Sequence, residues 1–260
     1  MRAKPQEAVR LAVQSINQAG ALLVFPIDNK RDPDSLWYRF HPKSEMRWEW
    51  DSDGDHRVAD LWHLKTELST TGKVVYTKWY RGRATYFSKP LFTAFLKKLN
   101  PALNDTYKNQ ATLSQAARKI LEILQAESPL STKELKRLAD MRGRENERAY
   151  EKALKELWTR LLIVAYGEVD DGAFPSLAVG ATETLFEQLW SDALELSPAE
   201  ADKTISKTLD QTNLFYKFYK KLEAEAPLKT EGKLGGAGAR ARAKKQASQK
   251  KLSVVDFKDL

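Results

Sequence analysis

Residues 114–166 decide the fold. They contain Ser114-Gln-Ala-Ala-Arg-Lys-Ile-Leu-Glu-Ile-Leu124, then Ser131-Thr-Lys-Glu-Leu135, then Met141-Arg-Gly-Arg-Glu-Asn146, then Leu162-Ile-Val-Ala-Tyr166. Ser114 sits where a helix cap belongs, and Ala117, Ile120, Leu121 and Leu124 form the apolar stripe behind it. Ser131 and Glu134 have the spacing of a capping box, which predicts a short helix through Leu135, Leu138 and Ala139. A glycine-containing link at 141–146 leads into a third helix with Tyr150, Ala153, Leu154, Leu157 and Leu161 on one face. Leu162–Tyr166 and Phe174–Val179 flank an Asp171-Gly172 turn, as a two-stranded ribbon requires. Three helices and a ribbon, the second helix short and capped, have the order of a winged helix-turn-helix, with the third helix as reader and the ribbon as wing.

Working outward, residues 6–19 predict an amphipathic helix stopped by Gly20, and Ala21–Ile27 a short buried strand that ends in polar turn residues 28–34. Leu36–Phe40 is aromatic and reads as extended. Val58–Leu68 reads as a helix. Lys73-Val-Val-Tyr-Thr-Lys-Trp-Tyr and Arg83-Ala-Thr-Tyr-Phe-Ser flank Arg81-Gly82 as a hairpin, and Pro90 opens a helix to Leu99. The polar stretch 100–110 marks a boundary, and residues 181–222 add two amphipathic helices. The expectation is an α+β chain of winged helix-turn-helix units, helix-rich with small β-hairpins and a disordered basic C-terminal tail. It divides into an N-terminal α+β domain at 1–111, a winged-helix domain with C-terminal helices at 112–228, and a tail at 229–260.

Charge narrows the partners. The 260 residues carry 43 Lys/Arg and 35 Asp/Glu, a net +8. Residues 1–111 hold 18 basic and 12 acidic residues, whereas residues 112–228 hold 16 and 20. Residues 229–251 hold eight cations against Glu231 alone, among glycines and alanines that offer nothing to bury. Such a tail stays mobile and contacts polyanions without sequence preference, or serves only to solubilise. Absence of cysteine excludes disulfides, thiolate zinc sites and a cysteine nucleophile. The N-terminus has no apolar targeting core and no run is long enough to span a membrane, so a cytoplasmic protein is expected.

Candidate binding residues follow from charge next to turns and aromatics. Lys73, Lys78, Arg81, Arg83 and Lys89 lie in a hairpin that has no acid, interleaved with Tyr76, Trp79, Tyr80, Tyr86 and Phe87. Cations track phosphates, while aromatic faces stack on exposed bases or pack a core. On the third helix Arg142, Arg144, Arg148 and Lys152 stand where a major-groove reader places side chains. Glu145, Glu147 and Glu151 are interleaved, so a solvated helix with pairs such as Glu151–Lys155 is the competing reading. Asp51-Ser-Asp-Gly-Asp55 opens like a calcium loop, but His56 and Trp62 stand where glycine and a bidentate glutamate belong, so a plain turn is favoured. Asp60, His63 and Glu67 share a helix face that reads as solvated rather than metal-binding. No phosphate-loop or dinucleotide fingerprint is present, and no cofactor or metal is called for.

Arg47-Trp-Glu-Trp, His63-Leu-Lys-Thr-Glu-Leu and the hairpin 73–88 together resemble the AlkZ/YcaQ DNA glycosylases over roughly residues 20–185, a family built of winged-helix units. The resemblance implies a DNA partner, a plain or damaged duplex, and excision of alkylated bases through a Gln-x-Gln or Gln-x-Asp motif. The matching position here is Pro26-Ile27-Asp28. Asp28 would hold or activate water at the anomeric carbon, but Pro26 replaces the first glutamine, and a plain turn residue is the competing reading. The alternatives left open are a winged-helix DNA binder, an active glycosylase using Asp28, and a non-enzymatic transcription regulator or protein-binding adaptor.

Overall fold

The computed structural model describes residues 5–48, 56–170 and 175–225. The acidic stretch 51–55, the Asp171-Gly172 turn and the basic tail fall outside the described residues. Helix α1 (Pro5–Ala19) turns Val9, Ala12 and Ile16 inward and stops at Gly20. Gly20 has φ +77, and a Cβ there would lie 2.2 Å from Thr208 Cγ2, so only glycine fits this close turn. Strand β1 (Ala21–Leu23) follows. The aromatic run read as extended is instead helix α2 (Leu36–Phe40). The Ser35 hydroxyl accepts a hydrogen bond from the Tyr38 amide, and this local cap outweighs the strand preference of the aromatics.

Helix α3 (Arg57–Thr70) leads to strands β2 (Val75–Thr77) and β3 (Thr85–Phe87), joined through a turn at Tyr80–Gly82, and then to α4 (Lys89–Leu99). The polar stretch after α4 is partly helical: α5 (Thr106–Ala111) begins where the Asp105 side chain accepts from the Lys108 amide. Next come α6 (Gln115–Ala126) capped by Ser114, β4 (Leu130–Ser131), α7 (Thr132–Leu138) capped by Ser131, α8 (Arg144–Thr159), β5 (Ile163–Val169) and β6 (Ser176–Ala181). The two helices expected after residue 181 are four: α9 (Thr182–Leu185), α10 (Glu187–Glu195), α11 (Pro198–Thr208) and α12 (Leu214–Glu225). The apolar pattern breaks at Ser197-Pro198, where Ser197 and Glu200 form a reciprocal capping box that starts a new helix.

The fold is α+β around one six-stranded antiparallel sheet in the order β1-β3-β2-β5-β6-β4. Strands from both sides of residue 111 join it, with Tyr76 opposite Ala165. Helices cover both faces of the hairpin strands. Alternation along β3 sends Tyr86 toward α3, where its hydroxyl donates to the Lys65 carbonyl. It sends Phe87 the other way, into a cluster with Trp79, Phe95 and Phe218. At the far end of α8, Arg160 donates to Asn100 Oδ1, Thr112 Oγ1 and Asn109 Oδ1 at 3.0, 2.8 and 2.6 Å. Burial pulls this guanidinium down to about 10. No described helix is long and apolar enough to cross a membrane.

Candidate nucleic-acid interface

Tyr150, Ala153 and Leu157 bury one side of α8. At about 100° per residue, Arg144, Arg148, Lys152 and Lys155 fall within about 80° of one another on the opposite side. All four are exposed. None has a hydrogen bond or ion pair among the described residues, so the Glu151–Lys155 pair expected from spacing is not made. Exposed Glu145 and Glu151 border the stripe on either side. Other acids nearby are engaged elsewhere: Glu147 pairs with Lys136, Glu134 with Arg137, and Glu156 accepts from the Ser114 amide and hydroxyl. A helix that is nearly balanced by count thus presents a cationic outer stripe. Arg142 is exposed just ahead of it, in the loop that enters α8.

The hairpin divides its five cations. Arg81 and Arg83 are exposed at its tip, where Arg81 (φ +52) and Gly82 (φ +74) make the turn closed by the Arg83 amide on the Tyr80 carbonyl. Lys73 and Lys89 are exposed at its base. Lys89 borders a cleft of about 630 Å³ between α4 and α10 that also contains Tyr166, Phe186, Gln188 and Asp192. Lys78 is half-buried beneath α3. The hairpin aromatics are not available for stacking on bases: Tyr76, Trp79, Tyr80, Tyr86 and Phe87 are all at most 3% exposed. A sheet covered on both faces buries both sets of alternating side chains.

Asp28 is exposed in the turn Ile27–Lys30, where Asp28 and Asn29 both adopt positive φ. Its carboxylate makes no hydrogen bond among the described residues. The turn itself is held firmly. Asn29 donates to the Met46 carbonyl and accepts from the Met46 amide at 3.0 and 2.9 Å, and the Tyr38 hydroxyl donates to the Asn29 carbonyl at 2.6 Å. This clamp brings Trp48, 56% exposed, against Phe25 with ring centroids 5.1 Å apart. The Val24 amide donates to the Ala84 carbonyl, so the Asp28 turn and the Arg81–Arg83 tip share one end of the sheet.

A buried polar cluster lies between α3 and the sheet. Lys65 is 4% exposed and pairs with Glu168 at 2.6 Å, its ammonium 3.7 Å above the Trp62 ring. Glu168 reaches this site because β5 is bulged. Ala165 opposes Val179 and Glu168 opposes Leu177, so one extra residue on β5 turns Glu168 onto the α3 face. Gly167 supplies the bulge at φ +82, and its amide donates to Ser69 Oγ. Burial holds Lys65 below the usual lysine range despite Glu168. Burial, and then the charge of Lys65, lower Lys78 as well.

The structure therefore brings Asp28 and the hairpin tip together and sets the α8 stripe apart. The Trp79 indole donates to the Thr159 carbonyl at the C-terminal end of α8. Arg144 stands fifteen residues earlier, roughly 22 Å along the helix. Asp60, His63 and Glu67 sit on the exposed face of α3, and among the described residues no three such side chains form a metal-sized group. In the sequence Trp48 stands out only as part of Arg47-Trp-Glu-Trp, and Asn29 and the Lys65–Glu168 pair do not stand out. One signal was there: Lys65 lies four residues after Leu61 and three before Leu68, on the stripe that α3 buries.

Comparison with curated proteins and with solved structures gives no match. Comparison with family models gives one described as AlkZ related, which spans residues 7–222 and so all of the sheet and nearly every described helix. By that match the chain belongs to the AlkZ-related family.

Proposed function

We propose that this chain is a DNA-binding protein acting in DNA repair, and that residues 114–181 form a winged-helix unit that reads duplex DNA with α8. The family membership supports the repair setting. The order α6-β4-α7-α8-β5-β6, with β4 paired to β6, supports the winged-helix reading. The observation that carries the proposal is the outward stripe Arg144, Arg148, Lys152 and Lys155, which is free of ion pairs among the described residues. Arg142 at the entry to α8, Arg81 and Arg83 at the hairpin tip, and Lys73 and Lys89 at its base add phosphate contacts.

The test is fluorescence anisotropy of the full chain on duplex DNA across a salt series. Replacing Arg144, Arg148 and Lys152 by glutamine removes three cations, so the slope of log affinity against log salt falls by about 3. An unchanged slope and affinity refutes α8 as the reader.

A second reading is base excision by Asp28. It rests on the exposed Asp28 carboxylate, unpaired among the described residues, in the turn that Asn29 clamps to Met46. The assay is abasic-site formation in alkylated duplex, lost in Asp28→Asn. Alkylated duplex left intact by the wild-type chain removes that reading and leaves DNA binding standing.

A further inference from the structure

Segments 24–48 and 80–85 meet at one end of the sheet, where the Val24 amide donates to the Ala84 carbonyl at 2.9 Å. Among their residues Trp48 is the single exposed large apolar side chain. Its ring leans on Phe25 with centroids 5.1 Å apart and planes tilted by 55°, which leaves it 56% exposed. The chain that carries it is anchored two residues earlier. Both the amide and the carbonyl of Met46 bond to the Asn29 side chain, and the Tyr38 hydroxyl holds the Asn29 carbonyl in turn. A ring fixed in this way has little freedom left to lose when a partner stacks on it.

The charge around the ring is positive. Arg39 pairs with Asp34. The other charged side chains of the two segments are all exposed: Lys30, Arg31, Lys43, Arg47, Arg81 and Arg83 against Asp28, Asp32 and Glu45. None of those six cations has an acidic partner among the described residues. Arg31 is set over the Tyr38 ring at 4.9 Å and Arg81 over the Tyr80 ring at 5.3 Å, so two of the cations are themselves held in place. A protein partner is met by a continuous apolar patch, and this end of the sheet has none. One flat ring among cations fits an unpaired nucleobase, which presents a π face flanked by phosphates.

We propose that Trp48 is a stacking platform for one unpaired base in DNA, with Arg47, Arg81 and Arg83 drawing in the phosphates on either side of it. This deepens the DNA reading above and rests on it: α8 holds intact duplex, and Trp48 takes a base that has left its pair. Stacking reads no hydrogen-bond pattern, so the platform accepts any of the four bases.

The experiment is fluorescence anisotropy of the full chain on three labelled probes: a plain duplex, the same duplex with one extra unpaired thymine at its centre, and a single strand of thymines. The wild type is expected to bind the bulged duplex more tightly than the plain one. Trp48→Ala should weaken binding to the bulged duplex by about 5- to 150-fold. It should leave plain-duplex affinity within about twofold and the salt slope unchanged, since no charge is removed. Trp48→Phe should recover most of the loss. Equal wild-type affinity for bulged and plain duplex, or a bulge preference that survives Trp48→Ala, overturns the platform and leaves the DNA reading standing. Bulged and single-stranded probes bound through Trp48, with no binding to plain duplex, keep the platform and refute α8 as a duplex reader. No binding to any probe refutes both.

Discussion

Removing Glu168 should cost more stability than removing Lys65, although the two form one ion pair. At 2.6 Å and an effective dielectric near 20, the pair attracts by about 6 kcal/mol before desolvation is charged against it. Breaking a buried pair from one side typically costs about 3–5 kcal/mol, because the remaining charge is left without a partner. The two sides are not equivalent here. Lys65→Met leaves Glu168 without its partner, but the Glu168 side chain keeps 14% exposure against 5% for Lys65 and can be reached by water, so the expected cost falls to about 1–3 kcal/mol. Glu168→Gln leaves Lys65 and Lys78 facing each other with no acid, and the full cost of about 3–5 kcal/mol is expected. Lys78→Met added to Glu168→Gln should recover part of it. Both lysines are held below their usual value of 10.5, so between the depressed and the ordinary value the unfolded chain binds more protons than the folded one, and stability rises with pH. The Glu168→Gln deficit should therefore shrink between pH 7 and pH 10. Urea denaturation of the wild type, the three single variants and the double variant, followed by tryptophan fluorescence at both pH values, supplies the numbers. If Lys65→Met costs as much as Glu168→Gln, or Lys78→Met gives no recovery, the argument that Lys65 and Lys78 repel once Glu168 is neutral is wrong.

Three further outcomes are expected. Arg160→Met leaves the acceptors on Asn100, Asn109 and Thr112 without their donor and should lower stability by about 2–4 kcal/mol in urea denaturation, with Arg160→Lys recovering only part. Gly167→Ala forces a Cβ into positive φ at 3.1 Å from Thr70 Cγ2, so a loss of about 1–2 kcal/mol is expected, with a weakened Lys65–Glu168 pair; unchanged stability would mean that the bulge does not need glycine. Arg81→Asn places a residue tolerant of the left-handed region at the hairpin tip, so stability should stay within about 1 kcal/mol while the salt slope of DNA binding falls by about 1.

The helices, hairpin and ribbon were legible because each carries its signal locally. Ser114 and Ser131 cap what their spacing promised, Gly20 stops α1, and Arg81-Gly82 makes the turn. Two elements were hidden by competition between local terms. At 36–40 the Ser35 cap overrides aromatic strand preference, and after residue 181 an internal capping box divides what reads as one amphipathic run. The joining of both halves into one sheet rests on the pairing of Tyr76 with Ala165, eighty-nine positions apart, and no local pattern encodes such a pairing. The fate of the hairpin aromatics follows from it. Once β2 has a neighbour on each side and helices on each face, alternation no longer distinguishes inside from outside.

Charge was the least legible property, for a physical reason that bears on the proposed interface. Residues 112–180 hold eleven cations and eleven acids, so a count predicts a neutral surface. The field outside a protein depends on which charges stay exposed and unpaired. Glu147, Glu134 and Glu168 are each held by a basic side chain, and Glu156 by the cap at Ser114. Those pairs also neutralise Lys136, Arg137 and Lys65, and Arg160 is turned inward onto neutral amide and hydroxyl oxygens. The remaining cations are not spread evenly, because the 3.6-residue repeat that buries Tyr150, Ala153 and Leu157 collects Arg144, Arg148, Lys152 and Lys155 on the opposite side. The periodicity that packs α8 is therefore also what sorts its charge, and a polyanion approaching the outer face of α8 meets four cations bordered by two acids.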